Sequence, residues 1–325
     1  NVYVTGHTWG GLDGNTNAGG SDLFVVKYDS GGIKQWTQQL GSSSSELVHG
    51  ISTDSSGNVY VTGYTFGSLD GSTNFGTEDL FVVKYDSGGI KQWTQQLGSS
   101  SPDHAHGIST DSSGNVYVTG HTWGGLDGNT NAGSSDLFVV KYDSGGIKQW
   151  TQQLGTSFDD YAQGIITDPS GNVYVTGYTW GGLDGNTNVG SDDLFVVKYD
   201  SDGIKQWTQQ LGTSSPDHAY GISTDSIGNV YVTGSTWGGL DGNTNAGGDD
   251  LFVVKYDSDG IKQWTQQLGT YTYDEARGIS TDLSGNAYVT GYTQGDLDGN
   301  THTGGKGMYS GDLFVVKYDT NGNKQ

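Results

Sequence analysis

One segment of about 57 residues, copied six times, fills this chain and restricts its fold more than any single motif does. NVYVTG begins at Asn1, Asn58, Asn115, Asn172 and Asn229 and returns as NAYVTG at Asn286. DLFVVKYD keeps step from Asp22, Asp79, Asp136, Asp193 and Asp250 to Asp312, where five extra residues within Gly304 to Gly311 delay it.

Each copy holds four short runs of strand character and no helical period. In the second copy these are Gly50 to Thr53, Asn58 to Thr65, Asp79 to Tyr85 and Lys91 to Leu97. Asp54-Ser55-Ser56-Gly57 and Asp86-Ser87-Gly88-Gly89 separate the outer pairs with the Asx-then-Gly chemistry of tight hairpins. Leu80, Phe81, Val82 and Val83 form an unbroken apolar run, which suits a strand covered on both faces. The alternating Gly50-Ile51-Ser52-Thr53 suits an inner strand lining a narrow channel. Together these features predict an all-β chain: a β-propeller of four-stranded antiparallel blades, one per repeat.

GISTDSSGNVYVTGYT followed by DLFVVKYDSGGIKQWTQQLG resembles the bacterial β-propeller repeat family called SBBP. That resemblance covers essentially the whole chain. It implies a secreted or surface-associated bacterial protein and brings no catalytic residues with it. DSGGIKQW is more weakly similar to the tryptophan-docking repeats of quinone-binding propellers. The strand types number six, six, five and five, so a six-bladed ring with two three-stranded end blades is expected, ahead of an arc of a seven-bladed ring. Residues 1–325 read as one propeller domain. The start inside a blade, without Met or a signal-like apolar stretch, reads as a piece of a longer chain.

Thirty-six acidic against fourteen basic residues give a formal charge of -22. Such a charge excludes nucleic acid and anionic membrane surfaces as partners. Cysteine is absent, which removes disulfide and thiol chemistry, and no apolar run is long enough to span a bilayer.

The loop between the second and third strands carries the most chemistry. In the first copy Asp13, Asn15, Asn17 and Asp22 place oxygen side chains at positions one, three, five and ten. A Gly-rich loop of this kind can gather oxygens around Ca2+. The spacing resembles the calcium loops of integrin-type propellers, with one residue added before the last acid. Asp127, Asn129, Asn131 and Asp136 repeat it, as do Asp184, Asn186, Asn188 and Asp193, and Asp241, Asn243, Asn245 and Asp250. The second copy keeps Asp70, Asn74 and Asp79 but has Ser72; the sixth has Asp298, Asn300 and His302, with Asp312 displaced, so its site is expected to be weak or lost. The competing reading is a turn-rich loop whose side chains cap their own backbone.

Aromatic residues form two ladders. Trp36, Trp93, Trp150, Trp207 and Trp264 lie on the outer strand and read as seals between blades. Trp9, Phe66, Trp123, Trp180 and Trp237 follow the second strand, beside His7, Tyr64, His121 and Tyr178, and are the candidate ligand-binding rings. They would either stack on sugars, one weak site per blade made effective by multivalency, or fold back over the strand ends. Ser45-Glu46, Asp103-His104, Asp159-Asp160, Asp217-His218 and Asp274-Glu275, in the loop after the outer strand, read as solvated charges or further cation ligands.

The leading expectation is a non-catalytic, calcium-stabilised extracellular scaffold. It would bind protein or glycan at the cell surface, without membrane insertion, and could self-assemble through exposed edge strands. A multivalent lectin is the alternative. An enzyme at the channel mouth, a lyase or hydrolase, is third and requires one blade-specific acidic cluster.

Overall fold

Turn chemistry sets the repeat. Asp54 Oδ1 accepts the N–H groups of Ser56 and Asn58, both at 2.9 Å, while its Oδ2 accepts Asn58 Nδ2 at 2.7 Å and the Tyr60 hydroxyl at 2.9 Å. Gly57 closes this turn at φ +79°, a left-handed conformation costly for a residue with a Cβ. Asp86 does the same for the next hairpin, taking Gly88 N, Ile90 N and Gln92 Nε2. Asp54, Gly57, Asn58, Tyr60 and Asp86 of the repeat's signature are therefore staples of two hairpins.

The computed structural model describes residues 1–303 and 311–325. The five-residue insertion therefore lies almost wholly outside the described residues. The chain divides into two compact units, Asn1–Gly155 and Thr156–Gln325. In the first unit, β1 (Val2–Thr8), β2 (Asp22–Tyr28) and β3 (Lys34–Leu40) make a three-stranded sheet. Two four-stranded sheets follow: β4 (Glu46–Thr53), β5 (Val59–Thr65), β6 (Asp79–Tyr85) and β7 (Lys91–Leu97), then β8 (Asp103–Thr110), β9 (Val116–Thr122), β10 (Asp136–Tyr142) and β11 (Lys148–Leu154).

The second unit begins with β12 (Asp160–Thr167), β13 (Val173–Thr179), β14 (Asp193–Tyr199) and β15 (Lys205–Leu211). Next come β16 (Asp217–Thr224), β17 (Val230–Thr236), β18 (Asp250–Tyr256) and β19 (Lys262–Leu268), and a three-stranded sheet of β20 (Asp274–Thr281), β21 (Ala287–Thr293) and β22 (Asp312–Tyr318). All pairings between these strands are antiparallel between chain neighbours, the blade pattern expected from the repeat.

One boundary needs correction. The first strand of a blade begins four residues earlier than Gly50, at Glu46, and a register shift between Val48 and Gly50 leaves His49 as a bulge. The acids assigned to a solvated loop, Asp159 excepted, are therefore strand residues. The equivalent set is Glu46, Asp103, Asp160, Asp217 and Asp274, and all five are fully buried.

The continuous apolar run works as expected. On β6, Leu80 and Val82 enter the core shared with β8, β9 and β10, whereas Phe81, Val83 and Tyr85 enter the core shared with β2. Leu80 to Val83 are fully buried, and each such side chain contributes about 1.5–3 kcal/mol by leaving water. The outer-strand tryptophans seal neighbouring sheets. Trp93 packs on the Gly146 turn and donates its Nε1–H to Ser144 O at 3.2 Å, and Trp36 and Trp207 do the same one sheet on. Beside each of these, the lysine of DLFVVKYD straps the same joint, as with Lys84 Nζ to Ser144 O at 2.8 Å.

Candidate functional site

The loops that follow the second strands are built from their own side chains. Asp13 sits at φ +58°, and Asp70, Asp127, Asp184 and Asp241 share this left-handed turn, which Asp tolerates better than most residues. Each faces a lysine on the outer strand: Asp13 meets Lys34, Asp70 meets Lys91, Asp127 meets Lys148, Asp184 meets Lys205 and Asp241 meets Lys262. Asp298 of the sixth copy meets Lys324. Thr37 also donates to Asp13 at 2.6 Å, and the two donors hold that carboxyl below its ordinary range.

The Asn residues spend their amides on the loop backbone. Asn15, Asn129, Asn186 and Asn243 each donate Nδ2–H to the carbonyl of the preceding leucine at 2.9 Å. Asn17, Asn131, Asn188 and Asn245 donate to the loop's closing carbonyls, and Asn74 donates to Gly76 O. The last acid is a buried anchor. Asp79 Oδ2 accepts Phe75 N and Gln96 Nε2, both at 2.9 Å, and Asp22, Asp136, Asp193 and Asp250 repeat this arrangement. Burial raises the carboxyls of Asp79, Asp136, Asp193 and Asp250. The structure thus brings the third and fourth positions into one turn and directs the first toward the outer strand. Among the described residues no three His, Cys, Asp or Glu side chains gather on one metal-sized point.

Trp9, Phe66, Trp180 and Trp237 are exposed, Trp9 to 76%. Three of them are tethered by the backbone: Phe66 N donates to Ser45 O, Trp180 N to Asp159 O and Trp237 N to Pro216 O, each at 3.0 Å. Trp123 is half-buried, because His121 and His104 press edge-on against its ring at 4.5 and 5.1 Å.

Two constellations were not visible as such in the sequence. The first is the buried acid of the first strand. Asp103 accepts Ser99 N at 2.5 Å and the Thr122 hydroxyl, and burial still pushes its carboxyl up to about 6; Asp217 matches it. The alternation in Asp103-His104-Ala105, with Ala105 fully buried, was the available signal. The second is the blade-specific side chains on the first strands and the ends of the second strands. In the first unit these are His49, Tyr64, His104, His106 and His121. In the second unit His218 Nε2 lies 2.5 Å from Asp192, Tyr220 bonds His218 Nδ1 at 3.3 Å, and Arg277 pairs with Glu275 at 2.7 Å while stacking on Tyr220. Asp249 lies within reach of Glu275, and burial together with that charge pushes its carboxyl up to about 6.

An uncharacterized WD repeat-containing protein of Acanthamoeba polyphaga mimivirus is 25% identical over 96% of this chain and 30% of its own length. The regulatory protein FlaEY of Caulobacter vibrioides is 27% identical over 97% of this chain and 38% of its own length. The chain therefore spans about a third of the length of the curated relatives it matches. Among solved structures, a gluconolactonase from Xanthomonas campestris aligns at TM-score 0.44 and 12% identity, covering 93% of this chain and 78% of that one. A luciferin-regenerating enzyme aligns at TM-score 0.34 and 13% identity, over 74% and 68% of the two chains. The β-propeller repeat profile SBBP matches residues 35–70, 92–127, 149–184, 206–241 and 263–298, more than half of the chain. By its blades and by these five matches, this chain belongs to the SBBP β-propeller repeat family.

Proposed function

We propose that the chain is a non-catalytic scaffold that binds protein partners through the tethered aromatic loops at the ends of its second strands. The observation that carries this reading is the exposure of Trp9, Phe66, Trp180 and Trp237 on loops fixed by ion pairs and amide bonds. Large rings held ready on a rigid base are the side chains that dominate protein interfaces, and rigidity lowers the entropy cost of docking. The two relatives, a WD repeat-containing protein and a regulatory protein, support a binding role.

The finer form of the proposal puts the scaffold outside the cell with calcium on the Asp/Asn loops. It rests on composition and loop spacing, and a calcium ion would have to displace the lysine from each first Asp.

The test is affinity capture from the organism's own extract, using the wild-type chain and a Trp9→Ala, Phe66→Ala, Trp180→Ala, Trp237→Ala variant of unchanged melting temperature. A defined protein held by the first and released by the second is expected. Retention indifferent to the four substitutions, or a glycan-array signal with no protein retained, would overturn the reading.

A further inference from the structure

The six near-identical copies differ most along their first strands. The position of His49 carries His106, Gln163, Tyr220 and Arg277 in the next copies, whereas the hairpin staples hardly change. In the first unit this variation, together with that at the ends of the second strands, collects five of the chain's seven histidines: His49, His104 and His106 on first strands and His7 and His121 on second strands. The rings touch. His106 and His121 stack with centroids 5.0 Å apart, His49 lies 5.0 Å from His106, and His104 lies 5.2 Å from His121. His106 Nε2 is 3.1 Å from His121 Nδ1. His104 Nε2 is buried without a hydrogen-bond partner, 3.7 Å from the Glu78 carboxylate.

We propose that His104, His106 and His121 form a binding site for a borderline transition-metal ion of the Zn2+ or Cu2+ class, with His49 or Glu78 completing the shell. Two nitrogens bound to one zinc at about 2.0–2.1 Å stand roughly 3.3 Å apart in a tetrahedron and closer at smaller angles. His106 Nε2 and His121 Nδ1 share a hydrogen bond at 3.1 Å, close to the length of that edge, so an ion would take the place of the shared proton after a rotation of the two rings. The three rings are adjacent without yet converging on one point. Closing the site requires the His104 ring to turn out of its 3.9 Å stack on Tyr64, a movement in which its Nε2 has no hydrogen bond to lose. Glu78 beside it supplies a carboxylate that can ligate the ion directly or fix the ring from behind. Imidazole selects Zn2+ and Cu2+ over Ca2+ and Mg2+, which the many surface carboxylates would take weakly.

The experiment is calorimetric titration of the whole chain with Zn2+ in excess Mg2+, together with electron paramagnetic resonance of bound Cu2+. One ion per chain, a nitrogen hyperfine pattern, and at least about tenfold weaker binding in His106→Ala and His121→Ala are expected. A His302→Ala control should leave the isotherm unchanged. His106→Gln replaces the alanine variant if that one melts early. A wild-type chain that takes up no stoichiometric ion, or variants that bind as it does, would overturn the proposal.

Discussion

At the scale of single residues, the fold depends on close approaches that only the assembled blade reveals. A Cβ at Gly98 would sit 2.0 Å from Asp79 Oδ1, and the same clash recurs at Gly41, Gly155, Gly212 and Gly269. Gly98→Ala is therefore expected to cost about 1–3 kcal/mol, as overpacking does, and to lower the midpoint of urea unfolding. The buried histidines set a pH response. His106 and His121 titrate below the value of about 6.5 for an unfolded chain, so unfolding takes up protons once the pH falls below that value. Their contribution is complete above pH ~6.5 and declines on acidification. Asp103 in the first unit and Asp217 and Asp249 in the second have the opposite sign. Their carboxyls stand at about 6, above the unfolded value of about 3.9, so each adds stability as the pH falls from ~6 toward ~4, which in the first unit offsets only part of the loss from the two histidines. Hydrogen exchange at pH 5 against pH 7 should show β8 and β9 losing protection while β16 and β17 keep theirs. Equal loss in both units would contradict these assignments.

At the scale of elements, the joint between sheets is made by a tryptophan, a lysine and a glycine turn. Trp93 lies between Tyr60 and Tyr142, with ring centroids 5.9 and 6.4 Å away, and covers Gly146. Trp93→Ala should cost about 3–5 kcal/mol if the cavity stays open, and less where the sheets close over it. Trp93→Phe should recover most of the loss, measured by denaturant midpoint. Much of this level was legible beforehand. The hairpin staples around Asp54 and Asp86 and the two-faced burial of Leu80 to Val83 follow from turn chemistry and from the apolar run. The start of the first strand was not legible, because the bulge at His49 breaks the period-two alternation that marks a strand.

At the scale of the whole molecule, a charge of -22 and acidic loops invite a test with cations. The first Asp of every loop, in all six copies, is already paired with a lysine. Calcium on the loops must therefore displace these lysines, and the finer proposal predicts a melting midpoint several degrees higher in millimolar Ca2+ than in EDTA. An unchanged midpoint would leave the lysines as the partners of the first Asp and remove calcium from the loops.

The sequence by itself determined the repeat, the hairpins and the buried strand, because these follow from periodicity and turn residues within one copy of about 57 residues. It also pointed to the aromatic loops, of which four of the five rings stand exposed. Only the tertiary structure decided that Asp103 is a buried acid, that Asp13 faces Lys34, and that His49, His104, His106 and His121 meet. The physical reason is distance along the chain. His49 touches His106, and Tyr64 stacks on His104 at 3.9 Å, across a joint between separate sheets, and the pattern within a single copy does not encode which side chains that joint brings together.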